Sequence, residues 1–498
     1  MSPRLLILAL SASVACGGAQ TSQPSETLPE PTSPPLPWQS NRAQPEAIES
    51  PLVALVGGVV HTADGHRHEE GVVVFRDGRL LAVGPASEVE VPEGAETIDV
   101  SGRHVTPGII DTHSHMGVYP VPQARAHADG NEASGAVTAN VWSLDSVWPQ
   151  DPALQRALAA GITTIHVLPG SANLIGGRGV TLKLGRARTT AGMRFPGAPD
   201  SLKMACGENP KRVYGGRTQA PMTRMGNVAG YRAAFQKAAE YGRGWGEWQH
   251  KHRLWQRKRM RFEQTLDENG VQRPPADGED AVEDPGPEPS PPDRDFGLEA
   301  LWGVLQGEVL VQMHCYRADE MARMLEIADE FGFRIHAFHH AVEAYKIRDL
   351  LAEAGTGVST WADWWGFKLE AYDAVTENLA LLQEAGVRGA LHSDSNMLVQ
   401  RLPQEVAKAM WAGRHAGIDV SRDDALRWIT ANAAWQLGVE EQTGTLEVGK
   451  MADVVVWSGD PFSVYTHADL VYVDGQLRYD RSQEPTRSDF ELGQEVYR

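Results

Sequence analysis

Two histidines separated by one residue follow an apolar run, in the sequence DTHSH at residues 111–115. Alternate side chains of a strand face the same side, so His113 and His115 can both point at one ion. Imidazole nitrogen is a ligand that zinc, iron, nickel and similar ions accept. The preceding sequence TPGII at residues 106–110 is typical of a turn that leads into a buried strand. The pattern therefore predicts a metal site at the carboxyl end of that strand.

The elements that would position this pair are short apolar runs alternating with helical patterns, as in parallel β/α units. A chain of 498 residues has room for a barrel of about 250 residues and a smaller domain. We therefore predict an α/β fold with a (β/α)8 TIM barrel over residues 107–439, whose active site lies at the carboxyl ends of the strands. The predicted strands are residues 108–111, 163–168, 181–184, 202–206, 309–314, 333–340, 357–360 and 388–392.

Short β runs separated by turn residues occur on both sides of this α/β stretch. Residues 52–105 contain four such runs, one of them closed by the turn RDGR at residues 76–79. Residues 444–457 and 470–479 repeat the pattern, the latter across the turn Asp474-Gly475. We expect the two ends of the chain, residues 51–106 and 440–498, to build one small β-sandwich domain together.

About a hundred residues separate the predicted fourth and fifth strands, whereas a β/α loop usually has a few. Within this insertion, at about residues 231–295, residues 231–263 have a helical pattern rich in Arg, Lys and Trp. Residues 274–295 are acidic and rich in proline, which predicts disorder. The basic helix is either an interaction surface or a solvated helix that pairs with the nearby acids, and we favour the second interpretation.

The first residues resemble an export signal, because Arg4 precedes a short apolar run and small residues that lead to Cys16. The sequence SVACGG at residues 13–18 resembles a bacterial lipoprotein cleavage site, so residues 1–16 are predicted as a lipoprotein-type signal peptide. Residues 17–50 are predicted to be a disordered tether. We expect a lipoprotein in the periplasm or outer membrane, attached only through a lipid on Cys16. Because Ser13 replaces the usual Leu, a soluble secreted protein is the alternative.

The formal charge of −19 argues against nucleic acid as a partner, because phosphate binding needs clustered cations. The expected partner is a small-molecule substrate, and the sequence leaves a homo-oligomer open. Besides Cys16, the chain has only Cys206 and Cys315, which lie at the ends of predicted strands. We therefore expect no disulfide framework and treat both residues as small buried apolar groups.

Two segments carry a resemblance to a known family. TPGIIDTHSH at residues 106–115 resembles the first-strand signature of the amidohydrolase superfamily, and GKMADVVV at residues 449–456 resembles its return into the small β-domain. The resemblance covers about residues 51–480, and imidazolonepropionase-like and dipeptidase-like members are the most similar branches. It implies a divalent metal, zinc above all, as one or two ions. The long insertion departs from the compact family pattern.

The resemblance also implies further metal ligands. His314 and His340 end apolar runs and resemble the ligands on the fifth and sixth strands. Asp394, in LHSD at residues 391–394, resembles the eighth-strand aspartate, which ligates metal and takes a proton from the attacking water. For a ligand that bridges two ions, Glu208 is favoured because it lies just past a strand. A carboxylated Lys203 is the alternative.

Three residues are candidates for contacting the substrate. Asn173 follows a strand, Arg178 lies in a glycine-rich run and can bind a carboxylate, and His392 shares a strand face with Asp394. The predicted function is metal-dependent hydrolysis of a C–N bond in a cyclic amide, an amide or a dipeptide. A heterocycle deaminase is the alternative enzyme. A non-catalytic, surface-anchored binding lipoprotein is the alternative of another class.

Overall fold

The computed structural model describes residues 48–185 and 187–483. The predicted signal peptide, the tether up to residue 47 and residues 484–498 of the predicted sheet domain lie outside the described residues. Within the described ranges, none of the helices is both long enough and apolar enough to cross a membrane.

The chain first forms the amino-terminal part of a sheet. The first strand pairs with three others, antiparallel to the second and parallel to the fourth and fifth. A turn at Asp77-Gly78 joins the second and third strands, and both residues have the positive φ that such a hairpin needs. These strands are β1 (Val53–His61), β2 (Arg67–Arg76), β3 (Arg79–Pro85), β4 (Glu96–Asp99) and β5 (His104–Pro107).

The next eight strands form a second sheet in chain order, which is the predicted barrel. Its last and first strands meet where the Asp111 carboxylate accepts hydrogen bonds from the N–H and hydroxyl of Ser393, at 3.0 and 2.5 Å. The strands are β6 (Ile109–Ser114), β7 (Ile162–Val167), β8 (Ile175–Lys183), β9 (Asp200–Ala205), β10 (Val309–Cys315), β11 (Ile335–His340), β12 (Gly357–Thr360) and β13 (Gly389–Leu391).

One strand runs against the others. β8 is antiparallel to both β7 and β9, and it begins six residues before the predicted third strand at 181–184. A loop of seven residues, without a helix, joins β7 to β8, so the chain must reverse direction there. The glycine-rich run at residues 176–179, which carries Arg178, is therefore the interior of a strand.

Helices surround the barrel and supply the other side of its core. Met321, Met324 and Ile327 recur at helical spacing and pack in one buried cluster with Val311 and Ile335 of the strands. Residues 318–331 form one continuous helix, whereas residues 344–353 form a 3-10 turn followed by a short helix. The helices are α1 (Pro152–Ala159), α2 (Glu208–Gly215), α3 (Arg224–Gln264), α4 (Phe296–Leu305), α5 (Ala318–Phe331), α6 (Arg348–Glu353), α7 (Asn378–Glu384), α8 (Leu402–His415), α9 (Arg422–Arg427) and α10 (Ala431–Gln436).

The carboxyl-terminal strands complete the first sheet, as predicted from the two ends of the sequence. They are β14 (Val454–Trp457), β15 (Ala468–Val473) and β16 (Gln476–Asp480). β14 pairs with β5, which leads through Gly108 directly into β6 of the barrel. The sheet domain therefore holds the start of the first barrel strand in place.

The insertion contains α3, which begins seven residues earlier than predicted and ends one residue later. Residues 247–291 form a unit of their own. In it, the proline-rich segment predicted to be disordered lies along the helix: Trp255 Nε1 donates to the Gly286 carbonyl at 2.9 Å, and His252 lies 2.7 Å from Glu288. The interpretation that the basic helix pairs with the nearby acids is in accord with these contacts.

Cys206 and Cys315 form a disulfide, which corrects the expectation that both are only apolar groups. They stand at the carboxyl ends of the neighbouring strands β9 and β10, with Cα atoms 5.3 Å apart. The Cys206 N–H also donates to the His314 carbonyl at 2.9 Å. The bond joins positions 109 residues apart, a pairing that sequence spacing cannot predict.

Candidate active site

The carboxyl ends of the barrel strands bring the predicted metal ligands together around Asp394. His113 Nε2 and His115 Nε2 lie 3.6 and 3.1 Å from Asp394 Oδ1, and His340 Nδ1 lies 3.9 Å from Asp394 Oδ2. Asp394 has φ of 49°, and its N–H donates to the His113 carbonyl at 2.9 Å. A non-glycine residue in this backbone region is held there by its surroundings, as is common at functional sites.

The His115 ring is oriented by one backbone contact. Its Nδ1 lies 2.8 Å from the Leu168 carbonyl, which can only accept, so Nδ1 carries the proton. A neutral ring then presents the lone pair of Nε2 to the Asp394 carboxylate at 3.1 Å. Two acceptors at this distance repel each other unless a cation lies between them, so the pair fits a metal ion.

Buried ring nitrogens support the same conclusion. Nδ1 of His314 and Nδ1 of His340 are buried and have no hydrogen-bond partner in the part of the chain that the structure describes. Such groups are rare unless a metal or water satisfies them. Burial, with smaller contributions from nearby cationic groups and histidines, keeps the pKa of both rings well below the usual value, and neutral imidazole is the form that binds metal. The donor set therefore fits a divalent ion.

Lys203 lies within the same cluster. Its ammonium nitrogen is 3.2 Å from His113 Nε2, and burial lowers its pKa to about 8 although Asp394 raises it. The pKa of Asp394 is below its usual value: burial would raise it, but the contact with His115 and the nearby His392 and Lys203 outweigh that effect. The cluster is thus arranged to keep one carboxylate ionised.

Glu208, the favoured bridging ligand, lies farther out. It is the first residue of α2, on the rim of the cavity, and its nearest described cation is Lys368, with Nζ 3.7 Å from Glu208 Oε1. The geometry favours Lys203 over Glu208 as a ligand between two ions.

The cluster opens into a cavity of about 390 Å³. Its outer part carries two cations, Lys368 and Arg212, beside Glu208. Lys368 Nζ donates to Asn209 Oδ1 at 3.2 Å and lies 4.0 Å from the centre of the Tyr316 ring. The lining residues are His113, His115, Ser171, Lys203, Glu208, Asn209, Arg212, His314, Tyr316, His340, Phe367, Lys368 and Asp394.

Two of the three predicted substrate contacts, Asn173 and Arg178, lie away from the cluster. The Asn173 amide is buried and donates to the carbonyls of Glu132 and Gly135, both at 2.7 Å, so it holds a loop. Arg178 pairs with Asp200 at 3.4 Å, near the amino-terminal end of β9. His392 is buried within the cluster itself: one ring nitrogen each of His113, His340 and His392 lie within 4.8 Å of one another, and both ring nitrogens of His392 lack a partner among the described residues. None of the three lines the cavity.

The sequence missed Lys368, Tyr316 and Asn209 as rim residues. Lys368 follows a run of aromatic residues in the loop after β12 and has neither periodicity nor a motif around it. Tyr316 directly follows Cys315 at the end of a predicted strand, so its position could have been noticed. Asn209 directly follows Glu208 in the sequence, and nothing in its type or spacing marks it as a rim residue.

Comparison with known proteins agrees with this geometry. The sequence profile described as Amidohydrolase family matches residues 302–479. A solved amidohydrolase from Thermotoga maritima is 33% identical with a TM-score of 0.71, and the match covers 86% of this chain and 100% of that one. This chain belongs to the amidohydrolase superfamily. The predicted family and the predicted barrel with a small sheet domain are thereby confirmed.

Two further relatives are an amidohydrolase and an imidazolonepropionase. Amidohydrolase tasK of Hapsidospora irregularis is 34% identical over 426 residues, which are 83% of this chain. This chain covers only 39% of that relative's length. Imidazolonepropionase of Rhizobium rhizogenes is 24% identical over 432 residues, 81% of this chain and 89% of the relative. Superfamily membership supports a metal-dependent enzyme that hydrolyses C–N bonds.

Proposed function

We propose that this protein is a two-metal hydrolase that cleaves a C–N bond in a small amide bearing a carboxylate. The observation that carries the metal assignment is the convergence of His113, His115 and His340 on the Asp394 carboxylate within 3.9 Å. A divalent ion bound there lowers the pKa of water from about 15.7 towards about 7 and polarises a carbonyl oxygen. His113 and His115 would hold one ion together with Asp394, and His314 and His340 would hold the other.

Asp394 is proposed as the proton acceptor. One carboxylate oxygen faces His115 at 3.1 Å, and the carboxylate is partly open to the cavity. Its lowered pKa keeps it ionised at neutral pH, so one oxygen can accept a proton from water while the backbone hydrogen bond to His113 holds the residue in place. The same group can then return the proton to the leaving amine.

Lys203 would be the ligand between the two ions after its neutral amine forms an N–C bond to carbon dioxide and releases a proton to solvent. The resulting carbamate is an anionic group with two oxygens, which an ammonium group is not. The position supports this role, because Lys203 Nζ lies 3.2 Å from a histidine nitrogen that would itself bind metal. An unmodified Lys203 ammonium and a metal ion bound to His113 would repel each other at this distance.

The rim supports a substrate with a negative end. Lys368 and Arg212 stand at the outer part of the cavity, where they can attract a carboxylate, and Asn209 can add an amide donor. The side chain of Lys368 is already held over the Tyr316 ring, so little freedom is lost when it binds. A cavity of about 390 Å³ suits a dipeptide or an N-acyl amino acid rather than a long chain.

The test uses protein stripped by a chelator and reloaded with Zn²⁺ or Mn²⁺. Amine release is measured on dipeptides, N-acyl amino acids and cyclic amides, each beside its carboxamide counterpart. We expect hydrolysis only after metal is restored, with a preference for the free carboxylate that Lys368→Met reduces at least about tenfold in kcat/KM. No metal-dependent hydrolysis of any compound would reject the function. Equal rates for acids and carboxamides would reject only the carboxylate preference.

We also propose export as a lipoprotein through Cys16. The leader pattern supports this, and so does the disulfide, because such bonds persist mainly in oxidising compartments. Cys16→Ser is expected to move the protein from the membrane fraction to the soluble exported fraction. An unchanged distribution between the two fractions would contradict lipid attachment.

A further inference from the structure

A line of hydrogen bonds runs from His113 into the barrel interior, away from the cavity. His113 Nδ1 lies 3.0 Å from His339 Nδ1, and His339 Nε2 lies 2.6 Å from Gln312 Oε1. The Gln312 amide nitrogen then donates to the backbone carbonyl of Gln436 at 2.9 Å. His339 and Gln312 are both fully buried. Neither residue has a part in the proposed function.

The direction of every hydrogen bond in this line follows from its last acceptor. The carbonyl of Gln436 can only accept, so the nitrogen of the Gln312 amide faces it and the amide oxygen faces His339. His339 Nε2 must therefore carry a proton. A buried neutral ring has only one N–H, which leaves His339 Nδ1 as an acceptor. His113 Nδ1 must then be the donor.

We infer that Gln312 and His339 are positioning residues that fix the tautomer of His113 and so leave its Nε2 lone pair free for metal. This inference rests on the proposed metal site. The other tautomer of His113 would place the proton on Nε2, towards Lys203 at 3.2 Å and Asp394 at 3.6 Å, where it would block an ion. Partners behind a ligating histidine commonly change metal affinity by about 10–100-fold.

Two substitutions at one position separate this role from a merely structural one. Gln312→Met keeps the length of the side chain but removes the acceptor for His339. Gln312→Glu keeps an acceptor for His339 and puts a second carboxyl oxygen in place of the donor to the Gln436 carbonyl. We expect Gln312→Met to weaken metal binding by about 10–100-fold and Gln312→Glu to stay within about threefold of the unaltered protein.

His336→Gln is the matched control. His336 lies on the same strand, and its Nε2 bonds the Trp435 carbonyl at 2.9 Å, outside the line from His113. This variant should lose stability without losing metal affinity. The readouts are the dissociation constant for Zn²⁺, measured by competition with a chelator on the full chain, and the visible absorption of the Co²⁺ form.

Equal metal affinity in Gln312→Met and the unaltered protein would overturn the inference. An equal loss in Gln312→Glu and Gln312→Met would overturn it as well, because the shared defect would then be the bond to the Gln436 carbonyl. If the unaltered protein itself binds no Zn²⁺ or Co²⁺, the proposed function fails instead. The three results are therefore distinguishable.

Discussion

Lys203 Nζ and His113 Nε2 lie 3.2 Å apart in the lining of the cavity. Lys203 reaches this point from inside β9, whereas Glu208 lies on the rim beside Lys368. The relationship places a lysine, and not a glutamate, beside the first histidine of β6. Substitution of Lys203 and of Glu208 can therefore test which side chain is the ligand between the two ions.

Lys203→Ala should lower the metal content to about one ion per chain or less and reduce kcat by about 10³-fold or more. Glu208→Gln is the matched control and should keep both ions, because its carboxylate is paired with Lys368. Elemental analysis and amine release measure the two effects. Loss of metal in Glu208→Gln, with full metal in Lys203→Ala, would instead support the glutamate bridge.

The disulfide should stabilise the carboxyl ends of β9 and β10, which carry Lys203 and His314. The double variant Cys206→Ser, Cys315→Ser should lose about 2–4 kcal/mol of unfolding free energy, because the bond closes a loop of 109 residues in the unfolded chain. Both cysteines are buried, so we expect the native bond to resist reductant until the protein unfolds. Urea unfolding of the two proteins tests the first expectation, and an unchanged midpoint would contradict it.

A buried cation joins the barrel to the sheet domain. Lys183 Nζ lies 3.0 Å from Asp453 Oδ1 and also contacts Asp474, and the three side chains are largely buried. Lys183→Met should destabilise the protein by about 3–5 kcal/mol, since two buried carboxylates would lose their counter-ion. Arg76→Met, at an exposed pair with Asp77, is the control and should change stability by less than about 1 kcal/mol. Similar thermal midpoints for both variants would argue against the assignment.

A histidine pair in the sheet domain predicts loss of stability in acid. His61 Nε2 lies 2.9 Å from His104 Nδ1, and burial, followed by the charges of His104 and Arg67, lowers the pKa of His61 to about 4. The unfolded chain binds a proton near pH 6.5, so the folded state binds fewer protons between pH 6.5 and pH 4. The stability that neutral His61 contributes is present above that window and is lost as pH falls, by about 3 kcal/mol.

His61→Gln should therefore flatten the pH dependence of unfolding over that window. Urea unfolding at pH 7 and at pH 4.5 measures the difference for each protein. If the unaltered protein and the variant lose the same free energy between the two values, the pair does not carry the effect.

The sequence predicted features that have a period or a fixed spacing. Alternation placed His113 and His115 on one face, and apolar runs located the barrel strands, because both follow from strand geometry. The antiparallel course of β8 was missed, since direction depends on a seven-residue loop and not on the apolar pattern. Arg178 was therefore expected on the wrong end of the barrel.

Contacts between distant segments were beyond such reasoning. The pairing of Cys206 with Cys315 joins positions 109 residues apart, and Lys368 reaches the rim from a loop without a pattern. Glu208 was preferred over Lys203 as the bridging ligand because it lies just past a strand in the sequence. Sequence position does not show how far the side chain of a buried lysine extends. These features depend on how strands are arranged around the barrel.

The most direct test of the central claim is the metal content of the purified full-length protein, measured by elemental analysis after incubation with Zn²⁺ and removal of free ion. The histidines around Asp394, with Lys203 between them, predict about two ions per chain. The double variant His113→Ala, His115→Ala should bind about one ion or none. No bound ion in the unaltered protein, or full metal content in the double variant, would contradict the account.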